Sequence, residues 1–323
     1  MNALFIVTIC NRQTARKVVE TSLRQNFLLQ FAREAVTIRL QKRTKQKTGV
    51  HVIMKTRLLS AAMCLALVLT LASQAAATET PSFTLDGTAL QMEVAPMVVN
   101  RTTYVCYWPV VKAMYPDAVA TWENDRAVVR AQGLELTIQI GAPYLVANGR
   151  YLYFEGGPLL QDGNIMVPIR TLAQALGASV VWEKETGSVA IQSGTGPILS
   201  GDQYYNADSL YWLSHIIYAE SGNQPLAGKI AVGNVVLNRV NSPLFPNTVY
   251  EVVFQRNQFT PVSNGSIYRE PNAESVIAAK LCLDGANTVG ASLYFVNPYT
   301  APNSWASRNR PYVATIGAHA FFA

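Results

Sequence analysis

From residue 208 onward the apolar residues recur at helical spacing. Leu210, Leu213, Ile216 and Ile217 form one stripe, which Asp208-Ser209 can cap and which Gly222 is placed to end. Pro225 precedes a second run over 226–240, with Ile230, Val235, Val236 and Val240 facing inward. Pro243 and Pro246 break the chain; 248–255 then predicts a third, short helix and 274–283 a fourth. Between them, 258–262 and 266–268 flank Asn264-Gly265, the pattern of a β-hairpin. Residues 292–296 and 312–317 predict closing strands. The expectation for 208–323 is an α+β domain, mostly helical with a small sheet.

Upstream the rhythm changes. Residues 81–192 hold two copies of one pattern, each a short apolar strand, a helix and a strand ending in Trp. The second copy runs from Asp162-Gly163 through Val167-Pro168-Ile169-Arg170 and Leu176-Gly177-Ala178 to Trp182. The first is looser, with Cys106 and Trp108 where the second has Pro168 and Arg170, and it ends at Trp122. Residues 134–140 alternate as a strand, and Asn148-Gly149 and Gly201 mark hairpin turns. Trp108, Trp122 and Trp182 are expected to close small cores rather than stack on sugars. The turn-rich stretch 193–207 reads as a linker. The fold class expected is therefore α+β in two domains, a repeat-containing α/β stalk and the helical domain.

Charge and the rarer residues narrow the chemistry. The 323-residue chain has a net charge of +6, but 12 of its 26 Lys and Arg lie in residues 1–77 with only two acids. That leaves 14 bases against 18 acids in 78–323, a net of −4, which argues against a nucleic-acid partner. Met54-Lys55-Thr56-Arg57, about 15 apolar residues and Ala75-Ala76-Ala77 form a secretory signal over 54–77, short of the roughly 20 residues that span a bilayer. No stable membrane span is expected after cleavage. Residues 1–53 read as an upstream extension that precedes the better start at Met54. Of the four Cys only Cys106 and Cys282 lie beyond the signal, and the His are His51, His215 and His319. No CxxC, HExxH or HxH spacing occurs, so no metal or organic cofactor is expected.

Glu220 is the residue of chemical interest. It closes a helix, against the negative end of the dipole, one turn after two isoleucines. Both effects favour the neutral acid and push it toward a general acid's range. On position alone, a solvated Glu at a helix end remains the simpler reading.

The motifs around it shift that weighting. Tyr218-Ala219-Glu220-Ser221-Gly222, Gly233-Asn234-Val235-Val236-Leu237-Asn238-Arg239, Asn257-Gln258-Phe259-Thr260-Pro261, Leu293-Tyr294-Phe295-Val296-Asn297-Pro298 and Gly317-Ala318-His319 occur in order across 208–323. This segment resembles the SleB-type cell wall hydrolases, a family of spore-cortex-lytic enzymes with a lysozyme-like, lytic-transglycosylase-like fold. The resemblance implies Glu220 as the catalytic acid. It departs at Asn223-Gln224, where the family often carries Gly-Glu, so an auxiliary carboxylate is missing. Residues 81–192 resemble the stalk domain of copper amine oxidases, common in secreted proteins of Gram-positive bacteria. The absence of His from 78 to 209 argues against copper.

The substrate implied is a peptidoglycan glycan strand outside the cytoplasm, in association with the wall. Tyr218, Tyr294 and Trp305 are candidates to line its groove. Gln258 and Asn297 are candidates to orient an acetamido group, and Phe259 and His319 complete the set. His215, on another helix face, reads as a satisfied core residue, and Cys282, between two leucines, as an inert thiol. Most glycosidases need two carboxylates. The next acids, Asp208 and Glu251, lack motif support, and one acid suffices if the muramic C6 hydroxyl is the nucleophile, giving a 1,6-anhydro end. A single-Glu hydrolase using water and a catalytically silent wall-binding protein are the alternatives.

Overall fold

The computed structural model describes residues 82–323; the upstream extension 1–53 and the signal 54–77 lie outside them. Among the described residues no helix is long and apolar enough to cross a membrane.

The first half is built of β1 (Phe83–Leu85), β2 (Thr88–Leu90), β3 (Met97–Val99), β4 (Thr102–Cys106), α1 (Tyr107–Met114) and β5 (Val119–Glu123). There follow β6 (Arg126–Ala131), β7 (Leu134–Gln139), β8 (Tyr144–Ala147), β9 (Arg150–Tyr153), β10 (Leu159–Gln161), β11 (Asn164–Pro168), α2 (Ile169–Ala175), β12 (Ala178–Glu183) and β13 (Ser188–Ser193). Three sheets result, in the orders β12-β13-β1-β2, β10-β11-β4-β3 and β5-β6-β7-β8-β9. The repeat is visible as two strand–helix–strand units, β4-α1-β5 and β11-α2-β12. Their first strands pair antiparallel with Val105 opposite Val167, and both residues are fully buried. The Asn148-Gly149 turn joins β8 to β9 as expected, and both residues have positive φ, as such two-residue turns require. Two expectations fail here. Trp122 is 60% and Trp182 51% exposed, and of the three only Trp108 packs on a core. Gly201 begins a helical turn rather than a hairpin.

The second half is α3 (Gly201–Tyr204), α4 (Ala207–Ser221), α5 (Leu226–Val240), α6 (Val249–Phe254), α7 (Thr260–Ser263), a 3-10 turn (Ser266–Tyr268), α8 (Ala273–Leu283), β14 (Tyr294–Val296), α9 (Trp305–Asn309), β15 (Tyr312–Ile316) and β16 (His319–Phe322). The expected stripe on α4 is its inner face: Leu213, Ile216 and Ile217 are fully buried against α5 and α8. The helix starts earlier than expected, because Asn206 rather than Asp208 provides the cap, its side chain accepting from Ser209 N at 2.9 Å. Gly233 of α5 lies where the three helices approach closest; a Cβ there would stand 2.7 Å from Cys282 Sγ and 2.9 Å from Ile217 Cδ1. The small sheet has the order β14-β16-β15. The hairpin expected around Asn264-Gly265 is absent, since its flanks are α7, with Pro261 in its first turn, and the 3-10 turn.

The two halves meet through a buried ionic knot. Asp284, with a fully buried side chain, accepts from Arg150 Nε at 2.9 Å, from the Tyr205 hydroxyl and from Tyr151 N. Arg150 also lies 3.3 Å over the Tyr204 ring. Burial and the bond to Asp284 push the Tyr205 hydroxyl well above the usual phenol range. Tyr144, Tyr151 and Tyr153 pack on the core of the second half. The stretch 193–207 thus carries side chains of the junction itself.

Candidate active site

Glu220 lies in the last turn of α4, half-buried, and its carboxyl makes no hydrogen bond or ion pair among the described residues. Burial alone raises it to about 7, from a usual value of 4.5. The backbone carrying it is held from several directions. Ser221 Oγ donates to Ile217 O at 2.7 Å, and Gly222 O accepts from Asn272 Nδ2 at 3.3 Å. Lys229, almost fully buried, donates to Gln224 O at 2.6 Å and pairs with Glu274. Gln224 Oε1 accepts from Ala318 N at 2.8 Å, which ties the end of α4 to the turn before β16. A fixed scaffold under a free acid is the arrangement that proton transfer needs.

Helix α4 ends at Gly222 as expected, and Gly222 caps it in a right-handed conformation. Space explains the glycine. A Cβ there would stand 2.6 Å from Tyr218 O and 2.8 Å from the Tyr218 ring, so the bare backbone lets that half-buried ring fold back beside Glu220's turn.

Five of the other expected residues come together as a second group. The Tyr294 ring, on the edge strand β14, meets the Trp305 ring at 5.5 Å, and the Arg310 guanidinium lies 5.1 Å from each. Trp305 is 53% exposed. Gln258, exposed, accepts from Arg239 at 3.2 Å. Phe259 and His319 are buried and join through Phe295, at ring distances of 6.5 and 5.2 Å. Phe259 is 6% exposed and packs in the core of the second half. His319 is 8% exposed, its Nδ1 lacks a partner among the described residues, and burial lowers its pKa. Asn297 Oδ1 is taken by Tyr299 N at 2.9 Å, a turn-forming bond. His215 Nδ1 bonds Ile267 O at 2.8 Å, as a satisfied core residue does. Cys106 and Cys282 are free and buried, and burial raises both thiols.

Arg239 is the residue the sequence reading passed over. It is buried without a carboxylate, donates to Leu293 O at 2.8 Å and lies 4.9, 5.3 and 5.6 Å from the Phe245, Phe259 and Tyr294 rings. Desolvation lowers it to about 10. The available signal was its register on α5, seven residues after Val232 on the buried face.

Residues 223–322 match the cell wall hydrolase family, and residues 84–195 the copper amine oxidase N-terminal domain. Residues 223–322 are a cell wall hydrolase domain. Over 136 residues the chain is 35% identical to a spore cortex-lytic enzyme of Oceanobacillus iheyensis, covering 42% of this chain and 49% of that one. A spore cortex-lytic enzyme of Bacillus cereus is 38% identical over 117 residues, 36% of this chain and 45% of the relative. The solved catalytic domain of the germination-specific lytic transglycosylase SleB from Bacillus anthracis is 38% identical, with a TM-score of 0.35, and the match covers 37% of this chain and 97% of that domain. The chain spans about half the length of the curated relatives it matches. At Gln224, where the resemblance leads to a Glu, the amide oxygen accepts a backbone N–H as a carboxylate oxygen would.

Proposed function

We propose that this chain cleaves the glycosidic bond between N-acetylmuramic acid and N-acetylglucosamine in peptidoglycan, with Glu220 as the only acid–base group. The observation that carries it is the half-buried, unpartnered carboxyl raised to about 7, which holds a proton near neutral pH and can give it to a leaving oxygen. The family supports the substrate class, and the relatives named spore cortex-lytic enzymes support cortex peptidoglycan. In this reading the hydrolase domain has a lysozyme-like fold, and the chain acts outside the cytoplasm, at the wall.

A lone acid directs the second half of the reaction. Asp208 accepts from Trp212 Nε1 at 3.2 Å, and Glu251 is bound to the Thr248 hydroxyl that caps α6. With Asp208 and Glu251, the next acids in sequence, so engaged and Glu274 paired with Lys229, the deprotonated Glu220 takes the proton of the muramic C6 hydroxyl. That oxygen attacks C1, and a 1,6-anhydro end forms without water. Tyr218, Tyr294 and Trp305 line the strand's path, and Gln258, held by Arg239, orients an acetamido group. Asn297 and His319 support the same wall from behind.

Digestion of purified peptidoglycan by the chain, followed by mass spectrometry, tests this. Products with anhydro ends are about 18 Da lighter than those of water attack. Glu220→Gln is expected to lower the release of fragments by about 10²–10⁴-fold. Release by the variant at the original rate would place the acid elsewhere, and products of hydrolytic mass would make water the nucleophile.

A further inference from the structure

A cavity lies in the stalk-like half, outside the hydrolase domain. It is an open groove of about 790 Å³, within the range of small-ligand sites. Its walls come from both copies of the repeat. The β3–β4 turn contributes Arg101, and the start of α2 and strand β12 contribute Arg170 and Trp182. Pro168, Ile169 and Val180 give it an apolar lining.

Four features set this groove apart from a packing defect. Trp182 is 51% exposed and presents open indole surface to the groove. Arg101 and Arg170 are exposed and make no ion pair among the described residues, while Glu155 is the one acid in the lining. Arg101 also holds φ +64, the second left-handed position of its turn, where Gly87, Gly149 and Gly163 stand in sibling turns. A bulky cation in that conformation is strained. The first repeat copy places Trp108, packed on the core, where the second exposes Arg170, so the Arg170 corner of the groove has no counterpart in the first copy.

An indole beside an apolar lining with two free guanidiniums fits a ligand that combines a flat C–H face with carboxylates. We propose that this groove is a second glycan site, which holds a peptidoglycan strand with a sugar face on Trp182 and stem-peptide or lactyl carboxylates on Arg101 and Arg170. The inference rests on peptidoglycan as the substrate, and deepens that reading from one site to two. The ionic knot at Asp284 fixes the half that bears the groove to the half that cleaves, so a strand held in the groove is presented at a set distance from Glu220.

Binding is separable from cleavage. Glu220→Gln protein is sedimented with purified peptidoglycan sacculi stripped of anionic polymers, with and without Trp182→Ala and Arg170→Ala. The groove substitutions are expected to weaken binding about tenfold or more. With Glu220 intact, they should slow digestion of insoluble wall while leaving cleavage of short soluble glycan fragments unchanged. Both side chains are exposed, and an unchanged thermal melting point shows that the fold is retained. Equal sedimentation of the two proteins would overturn the proposal. So would binding only to wall that still carries phosphate polymers, since the occupant would then be a polyanion. Failure of the cleavage reading leaves the sedimentation result intact, so the two outcomes are told apart.

Discussion

At the scale of the residue, the consequence of Glu220's environment is a pH dependence with a fixed sign. In the proposed reaction the group enters protonated, so kcat/KM is expected to fall as pH rises through about 7, measured with initial rates of fragment release. The same shift loads the native state. Between about 4.5 and 7 the folded chain holds a proton that the unfolded chain has lost, so stability declines across that window and is lowest above it. Gln carries no such burden. Glu220→Gln should therefore be the more stable protein at pH 8, by about 1–2 kcal/mol after discounting for partial exposure, with a smaller difference at pH 5. Chemical denaturation at the two pH values checks it, and equal stabilities at pH 8 would mean that the carboxyl is solvated. Glu220 was legible because a motif surrounds it. Arg239 was not, because an arginine near a helix end reads as solvated until the rings of Phe245, Phe259 and Tyr294 are seen around it.

At the scale of the element, periodicity carried the helices. The stripe on α4 and the run Leu226–Val240 were visible because one face of each is buried and the other is not. Strand β16 was missed for the opposite reason. All four residues of His319–Phe322 are buried, so no alternation marks them, although this strand is the middle of its sheet. The Asn264-Gly265 hairpin failed because a turn signal says nothing about its flanks, and Pro261 favours a first helical turn. The closeness of α4, α5 and α8 was also invisible, since it depends on what faces Gly233. Gly233→Ala sets a helix-propensity gain of about 1 kcal/mol against overpacking of about 1–3 kcal/mol. With Sγ at 2.7 Å and Cδ1 at 2.9 Å the second effect wins, and a net loss is expected in urea denaturation. Adding Cys282→Ala should restore part of it.

At the scale of the whole molecule, the sequence marked two modules and a change of composition between them, but not the way they are joined. Arg150 and Asp284 are 134 residues apart, and no local pattern announces such a pair. Asp284→Ala would strand a guanidinium whose side chain is 9% exposed and remove the acceptor of Tyr205. A loss of about 3–5 kcal/mol is expected in thermal or denaturant unfolding, and a loss below 1 kcal/mol would mean that the junction is wet. The seat of Tyr144, Tyr151 and Tyr153 has a practical corollary. Severing the chain near residue 200 would bare an oily imprint with an orphaned anion at its margin, so the excised fragment should clump in solution where the intact chain stays dispersed.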